Sequence, residues 1–192
     1  REGVQFVVAR RGLFVLWLNV MVLSLFGLSY LVLLPVFAAE VLKIGKAGLG
    51  QLYSFAGVGS LIGLLLVARL SGDIPRGVLV LIAAHGFAWS VMGFSQAHHP
   101  WLAKSLLTLA GMFGVMQLVS TNAALQTAAP DHLRGRVVSL HTWAINGPAP
   151  FAALLIGKLA QMLGAPTAVL IGATICAAFA LLLLFVKEVR QV

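Results

Sequence analysis

Apolar residues in this chain fall into six long runs separated by short polar or charged segments. The runs cover residues 12–37, 49–70, 77–94, 101–123, 137–163 and 166–186. A membrane-spanning helix needs about 20 predominantly apolar residues to cross the hydrocarbon core of a bilayer. The pattern therefore predicts an all-α integral membrane protein, a single domain with six transmembrane helices.

The polar and small residues inside the six runs repeat with a period of three helices. Runs one and four carry most of the polar side chains, runs two and five are rich in glycine or proline, and runs three and six are almost wholly apolar. Internal repetition of this kind is typical of secondary transporters, in which two groups of three helices have opposite orientations. The pattern predicts a 3+3 inverted repeat.

Glycine and proline positions predict where helices approach each other or bend. Gly59 and Gly63 have the small-xxx-small spacing that lets two helix backbones pack closely. Pro148 and Pro150 each remove a backbone donor, so we expect the fifth helix to kink or loosen there. Pro35 is expected to help end the first helix.

Composition supports a membrane protein and argues against a nucleic-acid partner. Hydrophobic residues make up 60% of the chain and charged residues only 9%, whereas about a quarter of a soluble domain is charged. The net charge is +8, but the basic residues stand singly at the ends of apolar runs, as in anchoring to a bilayer surface. The lone Cys176 offers neither a disulfide framework nor a CxxC metal site, and we expect no metal or cofactor.

The distribution of basic residues predicts the orientation in the membrane. With six spans, both ends lie on one side, and that side carries nine basic residues against four on the other. The nine are Arg1, Arg10, Arg11, Arg69, Arg76, Arg134, Arg136, Lys187 and Arg190. The richer side is expected to be cytoplasmic. The chain opens without an initiator Met or a signal peptide, so we expect it to be a fragment of a larger protein.

Neutral polar residues within the runs are candidates for substrate binding in an apolar cavity. They are Asn19, Ser29, Gln117, Thr121 and Asn146. The alternative is that each only contacts a neighbouring helix, an interaction worth about 0.6 kcal/mol. His85 and His141 are the possible titrating groups, because no acidic residue lies inside any run; a coupling carboxylate would otherwise belong to another part of the protein.

Charged residues between the runs suggest a cytoplasmic gate. Asp131 and Arg134 are three residues apart, so on one helical turn they share a face, and Arg134 is placed to pair with Asp131 or with an acid from outside this chain. Arg136 points away and is expected to meet lipid phosphate or a partner's loop. Asp73 and Arg76 are expected to form a second, weaker contact. The alternative is that all of them only anchor the topology.

Three segments carry a family resemblance: residues 34–50 from Leu-Pro-Val-Phe-Ala to Gly-Leu-Gly, residues 57–73, and the turn Pro-Asp-His-Leu-Arg-Gly-Arg-Val at 130–137. Over nearly its whole length the chain resembles the carboxy-terminal half of a major facilitator superfamily transporter, in the enterobactin-exporter-like drug and siderophore efflux branch. The family's loop signature appears only in degenerate form, at Arg69, Gly72, Asp73 and Arg76.

The resemblance implies that spans one and four line a central cavity, that two and five meet the missing amino-terminal six-helix half, and that three and six lie outside. It implies a multi-pass protein of the bacterial inner membrane that exports a small amphipathic molecule, such as a drug or siderophore, by alternating access. The alternatives are a non-transporting assembly subunit and a lysophospholipid-type lipid transporter. An intramembrane enzyme is disfavoured, because Ser139 and His141 point to different sides of a helix and no hydrolase motif is present.

Overall fold

The structure, a computed structural model, describes residues 2–191, and all the regular secondary structure within that range is helical. Arg1, one of the basic residues used for orientation, lies outside the described residues. The helices are α1 (Glu2–Val8), α2 (Arg11–Val22), α3 (Tyr30–Val36), α4 (Gly45–Leu70), α5 (Arg76–Ser95), α6 (Pro100–Ala128), α7 (Asp131–Asn146), α8 (Ala149–Leu163) and α9 (Ala165–Leu184). Two π-helical turns, Leu23–Gly27 and Phe37–Val41, precede and follow α3, and Lys187–Gln191 forms a 3-10 turn.

Five helical stretches are long and apolar enough to cross a membrane. They are Arg11–Val41, Gly45–Leu70, Arg76–Ser95, Pro100–Ala128 and Ala165–Leu184. The predicted span at 137–163 is instead divided between α7 and α8, of 16 and 15 residues, each too short to cross alone. The interruption that Pro148 and Pro150 predicted is confirmed, while the six-span arrangement stays a prediction.

The expectation that Pro35 ends the first helix is wrong. Pro35 lies inside α3, and the helical path continues as far as Val41. A proline leaves the carbonyl four residues earlier without its usual donor. Here the carbonyl oxygen of Leu31 accepts a hydrogen bond from the Tyr53 hydroxyl of α4, at 3.2 Å. Because another helix supplies the missing donor, the chain continues through the proline.

The close packing predicted from the glycine spacing is confirmed between α4 and α6. A Cβ atom at Gly59 would overlap the carbonyl oxygen of Thr108, and one at Gly63 would overlap that of Met112. The contact is reciprocal, since a Cβ at Gly111 of α6 would overlap the carbonyl oxygen of Ala56. Backbone lies directly against backbone along this seam, and only glycine fits there.

Both ends of the described chain lie on the same side of the bundle. Gly3 of α1 packs against Arg136 at the start of α7. At the other end of the chain, Val189 is fully buried and lies against Gly77 at the start of α5. The same turn contacts the start of α2. An even number of membrane crossings requires this arrangement.

Helix α5 is the most buried of the long helices and packs between α6 and α9. Its Phe94 ring lies 4.6 Å from the Phe37 ring and 6.0 Å from the Tyr30 ring, measured between centroids. These aromatic contacts connect α5 to the first span. The exposed side of α5 carries Ile82 and Trp89, so the helix has one lipid-compatible face and otherwise belongs to the core.

Candidate functional site

The break between α7 and α8 lies beside the π turn Leu23–Gly27. The helix is interrupted at residues 147–148, and within the described chain no backbone hydrogen bond runs across the break from Ala149 to the Ile145 carbonyl oxygen. The Ser24 hydroxyl, in the π turn, donates a hydrogen bond to the carbonyl oxygen of Ile145. The π turn of the first span therefore supplies a hydrogen-bond donor to the last turn of α7.

A second contact holds α7 against α2 through two tryptophans. The Trp17 indole N–H donates to the carbonyl oxygen of Leu140 at 3.1 Å. The Trp17 and Trp143 rings are stacked, with centroids 6.3 Å apart and planes inclined by 13°. A Cβ at Gly147 would lie about 3.0 Å from the Trp143 indole, so the ring extends along the break.

A cleft of about 270 Å³ opens beside this junction. The first span lines one side, and the end of α7 with the start of α8 lines the other. Its walls are apolar except for Ser24, Ser29 and Asn146. The volume is close to the lower end of the range for small-molecule sites, about 300 Å³, and such sites commonly combine apolar walls with a few polar groups.

Two of the five predicted substrate residues, Ser29 and Asn146, are brought together in this cleft. The Asn146 amide nitrogen donates to the Thr142 carbonyl oxygen at 3.1 Å, and the side chain is exposed. The Ser29 hydroxyl donates to the Phe26 carbonyl oxygen at 2.7 Å. Both side chains keep acceptor capacity, and Asn146 is the more accessible of the two, since Ser29 is only 4% exposed.

The other three predicted substrate residues lie inside the bundle. Asn19, Gln117 and Thr121 are 3%, 2% and 0% exposed. Asn19 and Gln117 border a gap with no room for a water molecule. Among the described residues, Asn19 Nδ2, Gln117 Oε1 and Thr121 Oγ1 have no hydrogen-bond partner. Gln117 and Thr121 of α6 therefore face protein, and the five candidates do not form one site.

The two histidines lie on different helices, α5 and α7. His85 Nδ1 is 2.8 Å from the Leu81 carbonyl oxygen, and His141 is 4% exposed. Nε2 of each ring has no partner within the described residues. Across residues 2–191 no cluster of three His, Cys, Asp or Glu side chains could hold a metal. Titration of either ring stays a prediction.

The predicted local ion pair at the start of α7 is confirmed. An Arg134 guanidinium nitrogen lies 3.0 Å from an Asp131 carboxylate oxygen, and both side chains are largely exposed. Arg134 Nε also donates to the Gln126 carbonyl oxygen of α6 at 3.4 Å. The arginine thus connects the first turn of α7 to the last turn of α6.

Arg136 has a partner that the sequence pattern did not predict, while its contact with lipid phosphate or a partner's loop stays a prediction. Arg136 forms an ion pair and hydrogen bond with Glu2 of α1. The sequence pattern did not predict α1, whose apolar run is too short to stand out. Because α1 folds back onto the start of α7, it supplies the carboxylate that Arg136 binds.

The expected pair of Asp73 and Arg76 does not form. The ion pairs within residues 2–191 are those of Arg134 with Asp131 and of Arg136 with Glu2. Arg76 instead donates to the Thr127 hydroxyl of α6 at 2.8 Å. The extended backbone at Pro75, with ψ of 137°, separates the turn that holds Asp73 from α5. Arg76 and Arg134 therefore both reach the last turn of α6, where the helix dipole favours positive charge.

The structure adds three residues that the sequence pattern did not select for the site: Trp17, Ser24 and Trp143. The sequence did contain a pattern that marks Trp143. It stands at helical spacing with Ser139, Thr142 and Asn146, and all four are exposed on α7. No comparable signal marks Ser24, because its role depends on a carbonyl more than 100 residues away.

Comparison with known proteins agrees with this architecture. The family described as "Transmembrane secretion effector" matches residues 1–192. The chain is 29% identical over 151 residues to the enterobactin exporter EntS of Salmonella typhimurium, and 30% identical over 155 residues to that of Escherichia coli O127:H6. These alignments cover 78% and 80% of the chain but 36% and 37% of the relatives. The chain thus spans little more than a third of the length of the relatives it matches.

Proposed function

Because the chain belongs to the transmembrane secretion effector family of the major facilitator superfamily, we propose that it is the carboxy-terminal half of a secondary transporter. The transporter exports a small amphipathic molecule, of the drug or siderophore kind, by alternating access. The chain is a multi-pass inner-membrane protein whose relatives are exporters. The observation that carries the proposal is the 270 Å³ cleft beside the α7–α8 break, with Ser29 and Asn146 in its walls.

The chemistry of the cleft supports an amphipathic substrate. Apolar walls bind the apolar part of a molecule, and the neutral side chains of Ser24, Ser29 and Asn146 can orient a hydroxyl or amide group. Among the described residues, no charged side chain lines the cleft. This disfavours a small, highly charged ion, since its desolvation would be uncompensated.

We take α7 and α8 together as the fifth of six spans, which completes the 3+3 inverted repeat. A broken helix is tolerated at membrane depth only where neighbouring groups satisfy the freed backbone atoms. The hydrogen bond from Ser24 satisfies one of these atoms, the Ile145 carbonyl oxygen. Discontinuous helices near substrate sites are also typical of transporters built from inverted repeats.

The amino-terminal six-helix half and the lipid bilayer are the proposed partners. Helix α4 is covered along one narrow stripe that faces α6, and its other sides are open. Val58, Leu61 and Leu65 are exposed there, at 52%, 64% and 69%, and Phe151 and Leu154 of α8 at 70% and 74%. We propose that these faces of α4 and α8 contact the other half.

A transport assay with enterobactin tests the function. Cells that lack their own enterobactin exporter, when given the full-length protein, should release enterobactin that otherwise accumulates inside. Asn146→Leu should raise the apparent KM about fivefold, because a hydrogen bond is worth about 1 kcal/mol. Thr174→Val is the matched control, since Thr174 is exposed on α9 and bonds only within its own helix. Release no faster than from cells with an empty vector would contradict the proposal.

The ion pair Asp131–Arg134 is proposed to act in a cytoplasmic gate. Both residues lie in the first turn of α7, where Asp131 orients Arg134. The bond from Arg134 to the Gln126 carbonyl oxygen of α6 is the contact that is made or broken when α7 and α6 move apart. An exposed pair contributes only about 0 to 1 kcal/mol. Two transport states that differ by a few kcal/mol nevertheless change their population ratio tenfold for about 1.4 kcal/mol.

Alkylation rates test the gate. In inside-out vesicles that contain the full-length protein, a single cysteine at Asn146 should react faster with an impermeant reagent when Asp131→Asn is present. Cysteines at Arg76 and Lys46 serve as controls; the first should react and the second should not, if the arginine-rich side is cytoplasmic. An unchanged rate at Asn146 would leave Asp131 and Arg134 as topology anchors.

A further inference from the structure

The exposed face of α7 has an unusual composition for a helix within a membrane. Ser139, Thr142, Trp143 and Asn146 follow one another along it, and all are exposed. Ser139, Thr142 and Asn146 each donate a hydrogen bond to a carbonyl oxygen of α7 itself, and their own oxygen atoms keep acceptor capacity that water can use. This face is therefore suited to a water-accessible pathway, and Asn146 makes it continuous with the cleft.

Trp143 is held in place on this face. One side of its ring stacks on Trp17, and Trp17 is itself fixed by its hydrogen bond to Leu140. Gly147 leaves the space along which the indole extends. Although it is restrained in this way, Trp143 is still 55% exposed, so a rigid aromatic surface is presented beside the cleft.

We propose that Trp143 is a specificity-determining residue that stacks on a planar aromatic ring of the transported molecule. The inference rests on the proposed export function and deepens it. Trp143 and Asn146 are three residues apart and share a helix face. A ring stacked on Trp143 would therefore place a polar substituent near Asn146 and an adjoining apolar group in the cleft. Aromatic rings gain from stacking beyond the burial of area alone, whereas flexible alkyl chains do not.

Two monovalent cations of different shape test this assignment. Ethidium carries a planar aromatic system, and dodecyltrimethylammonium carries an alkyl chain. Their Kd values are measured for the purified full-length protein in nanodiscs, by ethidium fluorescence polarisation and by competition. Trp143→Ala should weaken ethidium binding about fivefold to tenfold and change the affinity for dodecyltrimethylammonium less than about twofold. Trp143→Phe, which keeps a ring, should restore most of the ethidium affinity.

Trp89→Ala is the matched control, because Trp89 is an even more exposed tryptophan, at 65%, on the apolar face of α5. It should leave both affinities unchanged. Equal weakening of both probes by Trp143→Ala would overturn the inference and indicate that Trp143 packs against the other half. No effect on either probe, or no ethidium binding by the wild type, would also overturn it. Enterobactin release that persists in any of these cases would leave the export function standing.

Discussion

Replacing Gly59 by alanine is expected to disrupt the packing of α4 on α6 and to destabilise the protein. The added methyl group would overlap the carbonyl oxygen of Thr108, a backbone atom that cannot rotate away. The two helices would have to separate along a seam that also includes Gly63 and Gly111. Overpacking of this kind costs about 1–3 kcal/mol or more. The midpoint of unfolding in sodium dodecyl sulfate should fall accordingly for the purified full-length protein.

Gly57→Ala provides the matched control, two residues earlier on the same helix. A Cβ at Gly57 meets no atom within 4 Å, and alanine is favoured over glycine in a helix by about 0.5–1 kcal/mol. This variant should be as stable as the wild type or more so. Equal losses from the two substitutions would show that the seam is not the cause.

Ser24→Ala is expected to weaken the junction between the first span and α7. The carbonyl oxygen of Ile145 would lose its donor in the partly buried junction beside the cleft, at a cost of about 1 kcal/mol. Hydrogen–deuterium exchange should become faster across the α7–α8 break, and the unfolding midpoint should decrease. The proposed export function predicts slower enterobactin release as well, because the two sides of the cleft meet at this bond.

Ser54→Ala separates this effect from the general loss of a hydroxyl group. Ser54 is exposed on α4 and donates within its own helix to the Gly50 carbonyl oxygen, at 2.9 Å. Its removal should change stability by less than about 0.5 kcal/mol. Unchanged exchange at the α7–α8 break in Ser24→Ala would contradict the role given to Ser24.

Features that depend on local chemistry were predictable from the sequence. The close α4–α6 seam follows from the spacing of Gly59 and Gly63, and the break before α8 follows from Pro148. The Asp131–Arg134 pair is likewise a contact within one helical turn. For the break and the ion pair, neighbours in sequence contain the whole cause. For the seam, the glycine spacing predicts a close approach but does not identify α6 as the partner helix.

Features that depend on distant contacts were not predictable. Pro35 carries a helix-ending signal, which Tyr53 overrides from another helix. The partner of Arg136 lies 134 residues away, in Glu2. A polar residue in a membrane helix can face protein or water, and the sequence does not distinguish these. Gln117 therefore met the same criteria as Asn146, although only Asn146 lies in the cleft.

The π turn at Leu23–Gly27 fixes the number of residues that this part of the chain must contain. A π turn holds one residue more than an α-helix would over the same bonds, and each residue rotates a helix by about 100°. Deleting any one residue of the turn would restore regular geometry but rotate the following helix relative to α2. Ser29 would then leave the cleft and Tyr30 would leave its contact with Phe94. Homologous sequences should thus accept substitutions in this turn more readily than insertions or deletions.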